Sequence, residues 1–221
     1  MIRIRDLVKS YTRGDESVVA CEVAKLDIKT GEQVALVGRS GCGKSTLLNL
    51  LAGMSIPDQG SIRIRDVEIT QLSETGRDSF RAENMGMIFQ TFNLLQPFTA
   101  LENVTLGSVF GRGGGGQLKT RAAELLNQVG LGDRLHHRPN ELSVGQSQRV
   151  AICRALINDP TLILADEPLG NQDRETGREV LQLLLDMARA EKRTVVMVTH
   201  SPESAAQLDR TVEFSDLRGL A

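Results

Sequence analysis

The strongest chemical signal in the chain is the run Gly38-Arg39-Ser40-Gly41-Cys42-Gly43-Lys44-Ser45, followed by Thr46. It meets the phosphate-binding pattern G-x-x-x-x-G-K-S/T at every fixed position. Glycines let the backbone curl so that successive N–H groups face one point, and a helix opening there adds its own free donors and dipole. Lys44 would reach the outer phosphates of a nucleotide, and the Ser45 hydroxyl is a hard oxygen suited to Mg²⁺. A glycine-rich turn with an incidental lysine would not account for all the fixed positions at once. Alone, the run specifies a nucleoside triphosphate and does not separate kinase, GTPase and transport motor.

A second run, Leu162-Ile163-Leu164-Ala165, ends in Asp166-Glu167. Delivered beside the phosphate loop by a strand, Asp166 would hold Mg²⁺ and Glu167 would orient or deprotonate the attacking water. Without that loop, the pair would read as a solvated strand end or a helix cap. The third run is Leu142-Ser143-Val144-Gly145-Gln146-Ser147-Gln148-Arg149, which in isolation is a simple helix N-cap.

Taken together and in order, these runs resemble the ATP-binding cassette (ABC) proteins, the third being similar to the LSGGQ signature. Other residues then match that family in sequence. Tyr11 looks like the aromatic that stacks on adenine, and Gln90 resembles the glutamine that senses Mg²⁺ and the γ-phosphate. Gly170-Asn171-Gln172-Asp173 is similar to the D-loop, with Asp173 as its acid, and His200 resembles the switch histidine.

The resemblance implies an ATPase with Glu167, His200 and Gln90 in catalysis and Mg²⁺ held by Ser45, Gln90 and Asp166. It also implies two cassettes packed head to tail, the second expected to be a copy of the first. Ser143, Gly145 and Gln146 would then serve the nucleotide on the partner's phosphate loop. A separate transmembrane permease subunit would place the chain peripherally on the cytoplasmic face of the inner (plasma) membrane. Phe92-Asn93-Leu94-Leu95, the stretch from Phe98 to Val104, and Pro168-Leu169-Gly170-Asn171 look like the lipoprotein-release and macrolide-export (LolD/MacB-like) group. That group includes the cell-division cassette FtsE, so a regulatory ATPase signalling to a division or envelope partner is the alternative.

Three positions depart from the pattern: Val144 stands where the signature's first glycine is expected, Gln172 replaces a leucine, and Ser147 replaces a common glutamine. Valine resists positive φ and adds branched bulk, so weaker or slower closure around the nucleotide is expected.

The elements that must position these residues are readable in outline. Strand-like runs fall at 2–7, 34–37, 61–67, 86–89, 162–165, 195–199 and 212–214. Helical patterns fall at 44–52, 118–129, 144–158, 175–190 and 202–208. The unbroken apolar runs at 162–165 and 195–199 predict strands buried on both faces of a parallel sheet. By contrast 61–67 alternates isoleucine with charge, which predicts antiparallel pairing with one wet face. The expected fold is α/β. It combines a P-loop NTPase core with a mostly parallel sheet, an N-terminal antiparallel β subdomain and an inserted helical subdomain. The core would span 1–90 and 159–221, and the helical insertion with the signature 91–158. Phe92, Leu94, Leu95 and Phe98 are expected to line a groove for the permease. The glycine run at 111–116 lacks a preceding strand and a following Lys-Ser, and reads as a flexible loop.

Composition narrows the field. The 221 residues carry a net charge of -2 and only 3% aromatics, which speaks against a nucleic-acid partner. No apolar run approaches the roughly 18 residues of a membrane helix. The three cysteines show no metal-type spacing.

Overall fold

The computed structural model describes residues 1–14, 16–108, 115–170 and 174–219. A long antiparallel hairpin opens the chain, β1 (Ile2–Arg13) and β2 (Glu16–Ile28), with Ile2, Ile4, Leu7, Cys21, Val23, Leu26 and Ile28 buried. Asp6, at φ 47°, drops out of the ladder, so Ile4 and Leu7 face the same way despite their odd spacing. A side chain at Gly60 would collide with the Asp6 carbonyl, so glycine is required where the next sheet strand crosses this kink.

β3 (Gln33–Val37) leads through the glycine-rich loop into α1 (Lys44–Leu51). β4 (Gln59–Ile64) and β5 (Val67–Glu68) then complete a four-stranded antiparallel sheet in the order β2-β1-β4-β5. The expected antiparallel pairing of 61–67 is present, with Ile62 and Ile64 inward, but Arg65 at φ 55° breaks the run into two strands.

After α2 (Glu74–Asn84) comes β6 (Met85–Ile88). The segment that follows carries α3 (Ala100–Leu106), α4 (Gly115–Gln128) and α5 (Val144–Leu156), joined by loops and turns. Asn103, fully buried on α3, pins the preceding loop by accepting from Leu95 N–H and donating to the carbonyls of Leu95, Phe98 and Thr99. The glycine run is not wholly a loop. Gly115 and Gly116 open α4, and the remainder, 111–114, lies outside the described residues.

β7 (Leu162–Asp166), α6 (Arg174–Ala190), β8 (Thr194–Val198), the short α7 (Pro202–Ala205) and β9 (Arg210–Glu213) finish the chain. The second sheet has the order β6-β7-β8-β3-β9 and is parallel throughout. Its residues alternate between two cores. Ala35, Ile163, Ala165, Val195 and Met197 join the helical layer of α3–α6, whereas Val34, Leu36, Leu162, Leu164, Val196 and Val198 pack with α1 and the antiparallel sheet. Both faces are dry, which is why these strands read as unbroken apolar runs. Among the described residues no helix is long and apolar enough to cross a membrane.

Candidate active site

The parallel strands end on a common edge, and the loop after β3 is shaped there by glycine. Gly38, Gly41 and Gly43 lie at φ 147°, 76° and 113°, a region that strains any L side chain. At Gly43 a Cβ would strike the Ala20 carbonyl of β2. The buried Phe214, just past β9, comes within 3.2 Å of where side chains at Gly38 and Gly43 would begin, and so underpins the loop from behind.

Lys44 is only 8% exposed. Its ammonium donates to the carbonyls of Gly38 and Arg39, both at 2.8 Å, which holds the charge inside the curl of the loop. The next residue, Ser45, donates its hydroxyl to Asp166 Oδ1 at 3.2 Å. Burial at the end of β7 pushes the Asp166 carboxyl above the usual range. The Ser45 bond opposes that shift, and the neighbouring Glu167 charge adds to it.

Glu167 leaves the strand at φ 45°, with its N–H bonded to the Val198 carbonyl at 3.0 Å. That kink aims its carboxylate at the end of β8, where Oε2 meets His200 Nδ1 at 2.9 Å and the His200 N–H at 3.4 Å. The histidine ring is largely exposed while the Glu167 side chain is mostly covered.

A cavity of about 560 Å³ unites these groups. Gly38, Ser40, Gly41, Gly43, Lys44, Ser45, Thr46, Gln90, Asp166, Glu167 and His200 all line it. Arg39 and Cys42 do not, and Cys42 Sγ instead sits 3.7 Å from the Lys44 ammonium. Val18, Val19 and Ala20 of β2 supply an apolar wall that the sequence reading did not identify. Val18 and Val19 are about half exposed, and solvent-facing paired valines in a strand were the signal available. Tyr11 lies directly across the hairpin from Val18, outside the lining, with its ring 48% exposed and the Lys9 ammonium 5.4 Å from its centroid.

The signature residues are elsewhere: none of Ser143, Gly145 or Gln146 lines this cavity. Ser143 is the N-cap of α5, its hydroxyl accepting from Gln146 N–H at 3.2 Å while Gln146 Oε1 accepts from Ser143 N–H at 2.9 Å. Gly145 is buried, and a side chain there would meet Thr176 of α6 at 2.7 Å, so glycine is needed for the two helices to pack. Val144 is 57% exposed in the first turn of α5 and is not at positive φ. The expected backbone strain at Val144 is therefore absent, because Val144 is the first residue of α5, behind the Ser143 cap. Asn171, Gln172 and Asp173 lie outside the described residues.

A second, largely apolar cavity of about 670 Å³ lies between α2, β6 and α5, with Met54, Ser79, Ala82, Met87, Phe89 and Arg154 in its walls. It differs from the groove expected from sequence. Phe92, Leu94, Leu95 and Phe98 do not line it; Leu94 packs onto the helical core, and Leu95 and Phe98 face solvent. The side-chain bonds of Asn103 hold residues 95–99 against α3.

Comparison with known proteins gives a consistent result. The family model described as ABC transporter matches residues 21–170. The lipoprotein-releasing system ATP-binding protein LolD of Pseudomonas fluorescens is 44% identical over 216 residues, covering 98% of this chain and 95% of that protein. The macrolide export ATP-binding/permease protein MacB of Hyphomonas neptunium is 42% identical over 98% of this chain, which corresponds to 33% of that longer protein. Among solved structures, the dimeric post-hydrolysis state of the ATP-binding cassette MJ0796 bound to ADP and Pi aligns with a TM-score of 0.86. It is 37% identical, and the alignment covers 96% of this chain and 94% of that one.

Proposed function

The chain belongs to the ABC transporter family, and from that membership we propose how its residues divide the work of an ATP-hydrolysing transporter subunit. One observation carries the proposal. Lys44, Ser45, Gln90, Asp166, Glu167 and His200 share a single cavity, while Ser143 caps a helix outside it. The chain thus holds one half of a site for its own nucleotide and a separate half for another's.

In this reading the loop amides and Lys44 hold the phosphates, and Tyr11, beside the valine wall, stacks on adenine. Ser45 Oγ, the Asp166 carboxylate and the Gln90 amide oxygen fit Mg²⁺, which takes few protein ligands besides phosphate and water. Bound Mg²⁺ would neutralise the phosphate charge that otherwise opposes attack by water. Glu167 orients and deprotonates that water, and His200, tethered to it, answers to the γ-phosphate.

Ser143, Gly145 and Gln146 complete the site of a second copy, packed head to tail, with Asp173 at the junction. The Ser143 hydroxyl accepts within its own helix and retains its proton to donate to a phosphate oxygen. Residues 1–90 and 159–221 form the nucleotide core, and 91–158 the helical part that moves against it. The groove between α2 and α5 receives a cytoplasmic helix of the permease, with Met54, Met87 and Phe89 as apolar floor and Asp78 and Arg81 also in its walls. In this reading the chain sits peripherally at the cytoplasmic face of the inner membrane. Its work is of the lipoprotein-release or export type, since the chain matches the LolD relative along nearly its whole length.

Glu167→Gln tests the assignment. The purified variant should bind ATP normally, lose about 100-fold or more of its turnover, and elute with ATP as a dimer in size-exclusion chromatography. Near-normal hydrolysis would remove Glu167 from the reaction.

A further inference from the structure

α5 has two working ends. Its N-terminus presents Ser143, and its C-terminal half, with Arg154 and Ala155, walls the α2–α5 groove. Arg154 also grips the segment that leaves the nucleotide cavity. One terminal nitrogen donates to the Asn93 carbonyl and the other to the Phe92 carbonyl, each at 2.6 Å.

Those carbonyls lie just beyond Gln90, which lines the nucleotide cavity. Asn93 sits at φ 49°, a left-handed turn that asparagine tolerates better than most residues. Asn93 itself lines the groove beside Arg154. A planar guanidinium with a fixed fork of donors is suited to hold two carbonyls at once, which a single ammonium does less well. Burial also makes the Arg154 charge costly and lowers its affinity for the proton, so the two carbonyl dipoles are what offset that cost.

We propose that Arg154 is a positioning residue that couples the Gln90 segment and the groove to the signature at the far end of α5. When nucleotide or a groove occupant shifts residues 90–93, the paired hydrogen bonds carry α5 along as a rigid rod and set where Ser143 stands. Arg154 does not line the nucleotide cavity, so it acts on closure and not on the binding of ATP to one chain. The inference rests on the head-to-tail reading of Ser143 given above.

The test uses the Glu167→Gln protein as parent, with ATP affinity of the monomer and ATP-dependent dimerisation measured separately. Adding Arg154→Ala should leave the monomer's affinity for TNP-ATP within about twofold. The ATP concentration for half-maximal dimerisation should rise about tenfold, a usual size for coupling between sites. Arg154→Lys, which keeps the charge and the stem, should fall between the two.

Unchanged dimerisation in Arg154→Ala would overturn the proposal, as would loss of ATP affinity in parallel with dimerisation. If Arg154→Ala does not fold, Arg154→Lys decides, and parent-like behaviour in it assigns Arg154 to stability alone. A parent that fails to dimerise with ATP would instead reject the head-to-tail reading and leave the Arg154 contacts unexplained by coupling.

Discussion

The N-termini of α1 and α5 are both phosphate-facing in the proposed reading, yet they are built in opposite ways. α1 starts from Gly43 at φ 113° with no side chain bonded to its free amides. α5 starts from Ser143 in an extended conformation, with a reciprocal capping box to Gln146. An uncapped helix start leaves donors that an anion can satisfy, whereas a capped one is already content in water. The difference suits the two tasks. The α1 end must bind ATP in a single chain, and the α5 end must wait exposed until a partner brings a phosphate to it.

Lys44→Ala strikes the first end and should have the largest effect. It removes a charge-assisted contact worth roughly 1.5–3 kcal/mol, so ATP affinity of the monomer should fall about 10- to 100-fold by titration calorimetry. Ser143→Asp strikes the second end selectively, because Asp is as good an N-cap as Ser but opposes a phosphate with charge. Its monomer affinity should match wild type within about twofold, while ATPase activity is lost. Equal loss of monomer affinity in both variants would erase the distinction between the two helix ends.

Mixing those two inactive proteins is the sharper experiment. If each site joins one chain's loop to the other's signature, a hybrid dimer has one doubly damaged site and one intact site. Random pairing makes half of the dimers hybrids, so turnover should recover to at most about a quarter of wild type. A mixture as inactive as its components would place loop and signature in the same chain.

The first helix end was legible from sequence and the second only in part, for physical reasons. Gly38 to Thr46, Asp166 and His200 each stand at or just past the end of a strand built on an unbroken apolar run, 34–37, 162–165 or 195–198, so local pattern marked the strands that carry the candidate site. β2 was missed because its buried side chains change phase between Val23 and Leu26, level with the Asp6 kink, which spoils the period of two that would have marked it. α2 has no fully buried residue and so shows no clear apolar stripe, which hid one wall of the groove. Phe214 and Ala20 act on the loop through contacts between distant parts of the chain, and no local pattern announces such contacts. At Val144 two sequence expectations compete, a helix that starts at 144 and a strain from positive φ, and α5 beginning at Val144 bears out the first and removes the second.

Val144→Gly is the smallest and most discriminating change. Two reasons existed to expect valine to hinder closure, strain at positive φ and bulk beside the Ser143 hydroxyl. Only bulk survives, because Val144 is helical and 57% exposed. Glycine loses little helix propensity relative to valine, a few tenths of a kcal/mol at most in a first turn, so the capping box should persist. Clearing the side chain from the path of the incoming phosphate should raise the ATPase rate about twofold, or roughly 0.4 kcal/mol at the barrier. Val144→Ala serves as the control, because it removes most of the bulk without glycine's backbone freedom and should move the rate the same way. A rate that rises with glycine but not with alanine would restore the backbone as the cause. A rate unchanged in both would show that the signature turn contacts phosphate through Ser143 and the α5 amides, with position 144 pointing clear of it.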